Sequence, residues 1–284
     1  MTGKILVTGA TGNIGGAIAK LLKEKNADFV AGTNSGSIEG VDSVSLDFAD
    51  TQSLDKAMQG VSTLFMVLAN DPDMITWGKN VIDAAKKCGV KHIVRSSGSL
   101  ADGNSAIGVR KVLSDTDQYL KESGIDYTIT APNYFMQNFI NFHGDDYKNG
   151  AIYLPAGTGK VSWVDVRDIA AVNVEILLNP EKYRNQTLTI TGSKALSYAD
   201  VVALMNNLLD KDVQYVAVSN DDAIKAMTEM QFPEFVINLM MDLNQCIREG
   251  YAEETTMVIK DITGSDAISF EQFVNDNKNA WLNG

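Results

Sequence analysis

Along the first half of the chain, short apolar runs alternate with stretches whose apolar positions recur every three or four residues. Lys4–Thr8, Phe29–Gly32, Ser43–Leu46, Thr63–Leu68, His92–Arg95 and Tyr127–Thr130 read as strands. Between them, Gly15–Lys25 sets Ile18, Leu21 and Leu22 on one helical face, and Thr51–Met58, Asp73–Cys88 and Lys111–Glu122 read as further helices. Strands apolar on both faces, each followed by a helix, are what a parallel sheet covered on both sides produces. Right-handed crossovers then make a doubly wound α/β sheet the expected arrangement.

After Pro132 the rhythm changes. Gly150–Leu154 and Lys160–Trp163 read as short strands around the turn Pro155–Gly159, Asp165–Leu178 as a helix and Thr187–Ile190 as one more strand. From Ser197 onward the pattern is mostly helical, over Tyr198–Leu209, Asp221–Met230, Pro233–Glu249 and Phe270–Trp281. Ser197 and Ser269 stand where N-caps belong.

The strongest motif is Val7-Thr-Gly-Ala-Thr-Gly-Asn-Ile-Gly15, directly after the first strand and opening the first helix. In that context Gly9 permits a tight turn, Gly12 lets the backbone approach a pyrophosphate, and Gly15 allows close packing of helix on strand. The helix N-terminus offers amide donors and a partial positive charge. Gly9, Ala10, Thr11, Gly12, Asn13, Ile14 and Gly15 are therefore candidate cofactor-binding residues in a Rossmann-type sheet. This gives an NAD(P)-binding unit over 1–150, with 160–192 returning to it. A smaller, mostly helical substrate-side unit covers 193–284 plus 134–159.

Composition narrows the partners. The 284 residues are 45% hydrophobic and 21% charged, with a net charge of −12 and no cluster of Lys and Arg. Such a surface repels nucleic-acid phosphates and acidic lipid headgroups, so a small-molecule substrate is expected, with no nucleic-acid or membrane partner. A homo-oligomer is compatible with the sequence. The longest apolar stretch, Val61–Ala69, falls far short of the roughly 20 residues that span a bilayer. Cys88 and Cys246 form no disulfide framework and read as buried small hydrophobes, and with no signal peptide at the start a cytoplasmic protein is expected.

The coenzyme is read from the second and third strands. NAD-preferring sites usually carry an acidic residue near the end of the second strand. Here that stretch is Ala31-Gly-Thr-Asn-Ser-Gly-Ser37, and Thr33, Asn34 and Ser35 can bond either a hydroxyl or a phosphate. The missing carboxylate tips the expectation slightly toward NADPH. Asp47 and Phe48, after the third strand, suit an adenine edge and a ring wall, with a helix cap near Thr51 as the other reading of Asp47.

Several blocks taken together resemble the NmrA-like family of atypical short-chain dehydrogenases/reductases. They are the glycine loop, Gly89-Val-Lys-His-Ile-Val94, Ser123-Gly-Ile-Asp-Tyr-Thr-Ile129, Pro132-Asn-Tyr-Phe-Met-Gln-Asn138 and Val164-Asp-Val-Arg-Asp-Ile-Ala170. The tail, through Thr191-Gly-Ser-Lys-Ala-Leu-Ser-Tyr198 and Thr263-Gly-Ser-Asp-Ala-Ile-Ser-Phe270, is similar to members that reduce dyes, azo compounds and quinones. The resemblance implies a nicotinamide lined by Leu68, Ala69, Asn70, Ser96, Ser97, Pro132, Asn133, Tyr134 and Phe135. Substrate would lie against Tyr134, Phe135, Met136 and the C-terminal helices. Two positions depart from the family pattern. Ala131 replaces a signature arginine, and Leu113 stands four residues before Asp117, where many enzymatic relatives carry His or Lys. Arg110 and Lys111 lie nearby, Lys111 being a candidate electrostatic or acid group.

The remaining chemistry is read by elimination. None of the nine tyrosines has Lys at the fourth following position, so the usual Tyr/Lys proton relay of a carbonyl reductase is absent. Hydride transfer to a quinone, an azo or cationic dye or an iminium ion does not need that relay. With only two histidines no metal site is expected. His92 reads as a surface or sheet-edge residue. His143 lies in a stretch that is either solvated or substrate-facing. Phe232, with Met227, Met230, Phe235, Met240 and Met241, reads as core or as an adaptable substrate wall. Asp165 and Asp168 read as helix-terminus residues rather than catalytic ones. An NAD(P)H-dependent reductase leads. The alternatives are a redox-sensing dinucleotide-binding regulator without catalysis, and a sugar-nucleotide epimerase, which would need the missing pair.

Overall fold

Strands such as Lys4–Val7 and Val61–Met66 bury side chains on both faces, which only a sheet covered on both sides permits. The computed structural model describes residues 3–34 and 36–282 and contains such a sheet. Its first half runs β1 (Lys4–Val7), α1 (Asn13–Glu24), β2 (Phe29–Thr33), β3 (Ser43–Ser45), α2 (Thr51–Ala57), β4 (Val61–Met66), α3 (Met74–Cys88), β5 (His92–Ser96), α4 (Gly108–Glu122) and β6 (Asp126–Pro132). Next come α5 (Asn138–Asn141), α6 (Gly144–Lys148), β7 (Ala151–Leu154), β8 (Lys160–Val161), α7 (Val166–Leu178) and β9 (Gln186–Ile190). The remainder is β10 (Leu196–Ser197), α8 (Tyr198–Leu209), β11 (Gln214–Ala217), α9 (Asn220–Glu229), α10 (Glu234–Arg248), α11 (Val258–Thr263), α12 (Phe270–Asn277) and α13 (Asn279–Leu282).

Seven strands lie in the order β3-β2-β1-β4-β5-β6-β9, and every neighbouring pair is parallel. Alternation along the strands divides the core. Phe65 and Val94 point to one side, with α1 and α7, while Leu64, Met66 and Ile93 point to the other, with α2, α3 and α4. Each fully buried side chain of this size contributes roughly 1.5–3 kcal/mol. The order reverses between β1 and β4, which opens a crevice above the carboxyl ends of those strands. That crevice is where the glycine turn stands.

A separate core gathers Phe139, Trp163, Tyr198, Phe270, Phe273 and Trp281 with the apolar faces of α8, α10 and α12. Both buried indoles are satisfied, Trp163 donating to the Leu196 carbonyl at 3.0 Å and Trp281 to that of Phe139 at 2.9 Å. Ser197 closes a capping box with Asp200, and Ser269 caps α12 through the Gln272 amide.

Several expectations need correcting. Phe270–Trp281 is not one helix, because it divides at Lys278 into α12 and α13. Two strands and three helices lie outside the sequence reading: β10, antiparallel to β8; β11, parallel to β7; the short α5 and α6; and α11, which packs back on α7 and β9. His92 is not at a surface or edge. β5 is an inner strand, so the ring is only 4% exposed, and its Nε2 lies 2.9 Å from Thr128 Oγ1. That hydroxyl donates to the Tyr183 carbonyl, so the ring must be the donor at Nε2, and burial pushes its pKa below the usual value. Cys246 is buried but Cys88 is only half-buried, and both are free thiols.

Candidate functional site

The glycine turn shows a separate reason for each glycine. Gly9 has φ +59°, where a side chain is strained, and a Cβ there would lie 2.8 Å from Val67 Cγ1. A Cβ on Gly15 would run into the Gly9 carbonyl, so that position is closed by packing. Gly12 is different: it is exposed, and a Cβ would meet only the Gly9 oxygen, at 3.3 Å. That contact asks the Gly9 carbonyl to give by a few tenths of an ångström, far less than at Gly15, and a bare Gly12 leaves the mouth of the turn open to a ligand. Gly12 N–H closes the turn on the Gly9 carbonyl at 2.9 Å.

The helix end matches that opening. α1 has no side-chain cap at Gly12 and no acid in its first turn, as is also true of α3 and α4, so no side chain of its own occupies its N-terminal amides. The amides of Asn13, Ile14 and Gly15 have no carbonyl four residues back within the helix, so they can donate to an anion. Thr11 and Asn13 are exposed beside them, and Ala10 and Ile14 are buried behind. Thr8, which sequence reading passed over, clamps the neighbouring loop by donating to the Val67 carbonyl and accepting from its amide. These features fit a dinucleotide's pyrophosphate.

At the adenosine side the residues are arranged less simply. Thr33 is buried and its hydroxyl donates to the Gly36 carbonyl at 2.9 Å, while Asn34 is exposed and Ser35 lies outside the described residues. Asp47 is exposed and accepts from the Ala49 amide. The cap of α2 is Asp50, so the cap reading of Asp47 is corrected. Phe48 packs against Trp77 with ring centroids 6.1 Å apart.

Among the residues expected at the nicotinamide, the segment after β5 continues to pair with β6, Ser97 N–H reaching the Thr130 carbonyl and Ser99 N–H that of Pro132. Ser96 is buried and Ser97 half-buried; Leu68 is half-buried, and Ala69 and Asn70 are exposed. Pro132 ends β6 in register with Ile190. Asn133 is a clamp: its amide nitrogen donates to Ser162 Oγ at 2.6 Å and to the Ala252 carbonyl at 2.7 Å. Tyr134 donates its phenol proton to the Leu243 carbonyl of α10 at 2.8 Å, and burial pushes its pKa well above the usual value. Phe135 bridges to Val164. α10 also reaches the start of α4, where Asp242 Oδ2 accepts from the Val109 amide at 2.9 Å.

Other candidates sit apart from this group. Met136 is 2% exposed within the aromatic core. His143 is buried between Phe139 and Tyr198, each ring centroid 5.7 Å away, so the solvated reading does not hold. Phe232 is 46% exposed in the turn between α9 and α10. Lys111 is exposed and engaged with Asp115 one helical turn on, at 2.6 Å. Asp165 caps α7 and pairs with Arg167, as a helix-terminus residue should. Asp168 accepts from the Ile268 amide, and burial raises its pKa to about 6.

Sequence reading missed a buried cluster beneath the segment after β5. Arg95, 1% exposed, donates from Nε to Asp117 Oδ1 at 2.6 Å, and Ser97 Oγ donates to Asp117 Oδ2 at 2.7 Å. The signal available was the acid at 117 itself, noted only for the residue missing before it. Leu113 occupies that earlier position and packs toward Gly98, whose Cβ would lie 3.0 Å from Leu113 Cδ1.

A profile of the NmrA-like family matches residues 1–267. The chain is 34% identical over 275 residues to the NAD(P)H azoreductase of Xenophilus azovorans, spanning 95% of this chain and 96% of that protein. It is 30% identical over 290 residues to the agroclavine dehydrogenase of Claviceps fusiformis, spanning 98% of both. The Citrobacter sp. triphenylmethane reductase complexed with NADP(H) superposes with a TM-score of 0.84 at 25% identity, over 96% of this chain and 99% of that one. With the uncapped glycine turn and the reversed strand order already in view, this chain belongs to the NmrA-like family.

Proposed function

We propose that this NAD(P)H-dependent reductase passes hydride to an electron-poor small molecule, of the quinone, azo-dye, cationic-dye or iminium type, without a Tyr/Lys acid–base pair. The observation that carries this reading is the commitment of the two side chains that could have served as proton donors. The Tyr134 phenol is spent on the Leu243 carbonyl and held neutral by burial, and the Lys111 ammonium is engaged with Asp115. The glycine turn and the first-turn amides of α1 would hold the pyrophosphate, and Ser97, Pro132 and Tyr134 would bound the ring. Bound coenzyme supplies the hydride and its electron pair. The chain's residues orient the reactants and exclude water, which suffices where the product charge is delocalised or neutralised by the transfer.

Residues 1–150 with 160–192 would carry the coenzyme, and 193–284 with 134–159 the substrate. NADPH is the preferred coenzyme in this reading, since Thr33 and Asn34 present no carboxylate to repel a 2′-phosphate. Purified protein mixed with NADPH or NADH and a panel of quinones, azo dyes and triarylmethane cations tests the proposal. Oxidation of NADPH by some of the panel, faster than that of NADH, is expected, and none above background with either coenzyme overturns it. A second reading, the non-catalytic redox sensor, is favoured by Leu113, an apolar side chain packed at the position where the family resemblance implies His or Lys in enzymes. Tight binding of both oxidised and reduced coenzyme without turnover would support it.

A further inference from the structure

An arginine in the middle of a parallel sheet is costly unless its charge is matched, since burying an isolated ion is among the most expensive events in folding. β5 nevertheless carries Arg95 at 1% exposure, and α4 supplies Asp117 at 6% to meet it. The pair stabilises no helix end and lies at neither edge of the sheet. Its remaining partner is Ser97, in the segment that continues β5 toward the crevice.

The consequence lies in the direction of one proton. Each Asp117 oxygen accepts a bond, one from Arg95 Nε and one from Ser97 Oγ. A carboxylate can only accept, so the Ser97 hydroxyl must donate to it, and what that oxygen offers elsewhere is lone pairs. A serine hydroxyl free to rotate would serve a donor or an acceptor equally. This one has a fixed polarity. Ser97 is half-buried whereas Arg95 and Asp117 are buried, so it is the member of the cluster that keeps some exposure.

We propose that Arg95 and Asp117 are positioning residues that fix Ser97 as a hydrogen-bond acceptor at the hydride-transfer chamber, so that the site selects acceptor molecules bearing an N–H or O–H donor. This rests on the reductase reading for what the chamber does, but its test can fail separately. The preferred substrate class is an arylamine-bearing azo compound, or a protonated imine, over its fully N-alkylated counterpart.

Two matched probes isolate the effect: 4-aminoazobenzene-4′-sulfonate and its N,N-dimethyl counterpart. Calorimetry on the protein saturated with NADP+ is expected to show about three- to tenfold tighter binding of the amino compound, the size of one neutral hydrogen bond. Ser97→Ala should reduce that ratio to near one and Ser97→Thr should restore it; a preference based on the bulk of the methyl groups would survive in both. Asp117→Asn should also collapse the ratio, because the side-chain amide can donate and no longer dictates where the Ser97 proton points. If Asp117→Asn fails to fold, the two Ser97 variants decide the matter alone. With NADPH, the same ratio should be seen in KM rather than kcat. Equal binding of the two probes, binding of neither, or a ratio unchanged in Ser97→Ala overturns the inference. Selective binding without any turnover on the reductase panel leaves the inference standing and overturns the reductase reading instead.

Discussion

The two ends of the candidate site are built on different length scales. The pyrophosphate end is made by one stretch of chain: Gly9, Gly12 and Gly15 close on each other's backbone within seven residues, and the ligand groups are main-chain amides. The end proposed for hydride transfer is assembled from distant segments. Tyr134 reaches Leu243, Val109 reaches Asp242 and Asn133 reaches Ala252. The first end can be held constant while substrates change, because its geometry owes nothing to the helices that shape the second. Substitutions in the two places should therefore fail in different ways.

The largest effect is expected at Gly15. Gly15→Val forces a side chain into the Gly9 carbonyl and should cost about 3 kcal/mol or more, seen as a large fall in Tm together with loss of coenzyme binding. Gly12→Ala separates binding from folding: its Cβ meets only the Gly9 oxygen, at 3.3 Å, so Tm should fall far less than in Gly15→Val while the Kd for NADPH rises at least about tenfold. A parallel fall in Tm would show that the mouth of the turn is packed rather than open.

Smaller effects are expected away from the coenzyme. Asp168 has a folded pKa raised to about 6 from 3.8, so between those values the folded state holds a proton that the unfolded chain has released. Its contribution is complete below pH 3.8 and is lost as pH rises through about 6. Asp168→Asn keeps an acceptor for the Ile268 amide and removes the buried charge. It should raise stability at pH 8 by about 2 kcal/mol and leave it little changed at pH 4, by urea unfolding at both. Asp242→Ala removes the carboxylate by which α10 accepts from the first turn of α4 and should cost about 1 kcal/mol, again by urea unfolding. It should leave the Kd for NADPH within about twofold; a larger change would mean that the two ends are coupled.

The same division explains what could be read from the sequence. The glycine turn, the alternation of strands and helices and the caps at Ser197 and Ser269 are local patterns, and each lies in the structure where the pattern places it. β11 was invisible because Gln214–Ala217 is polar at one end and finds its partner β7 some sixty residues earlier. His92 was misplaced because the acceptor that lets it be buried, Thr128, lies on the next strand and not beside it in sequence. In the sequence Asp117 stands out only by the absence of a basic residue four positions before it. Its pairing with Arg95 needs both the strand order and the facing of α4, and neither is written in any short segment.

The charge at the centre of β5 also bears on how the chain reaches its final form. A collapsed species with the sheet assembled but α4 undocked would leave the Arg95 guanidinium enclosed without its counter-charge. Such a partly ordered state is penalised, which favours helix docking together with strand assembly. An ion pair of little net worth to the finished molecule thereby discourages a halfway species that would expose a sticky, unfinished sheet to its neighbours.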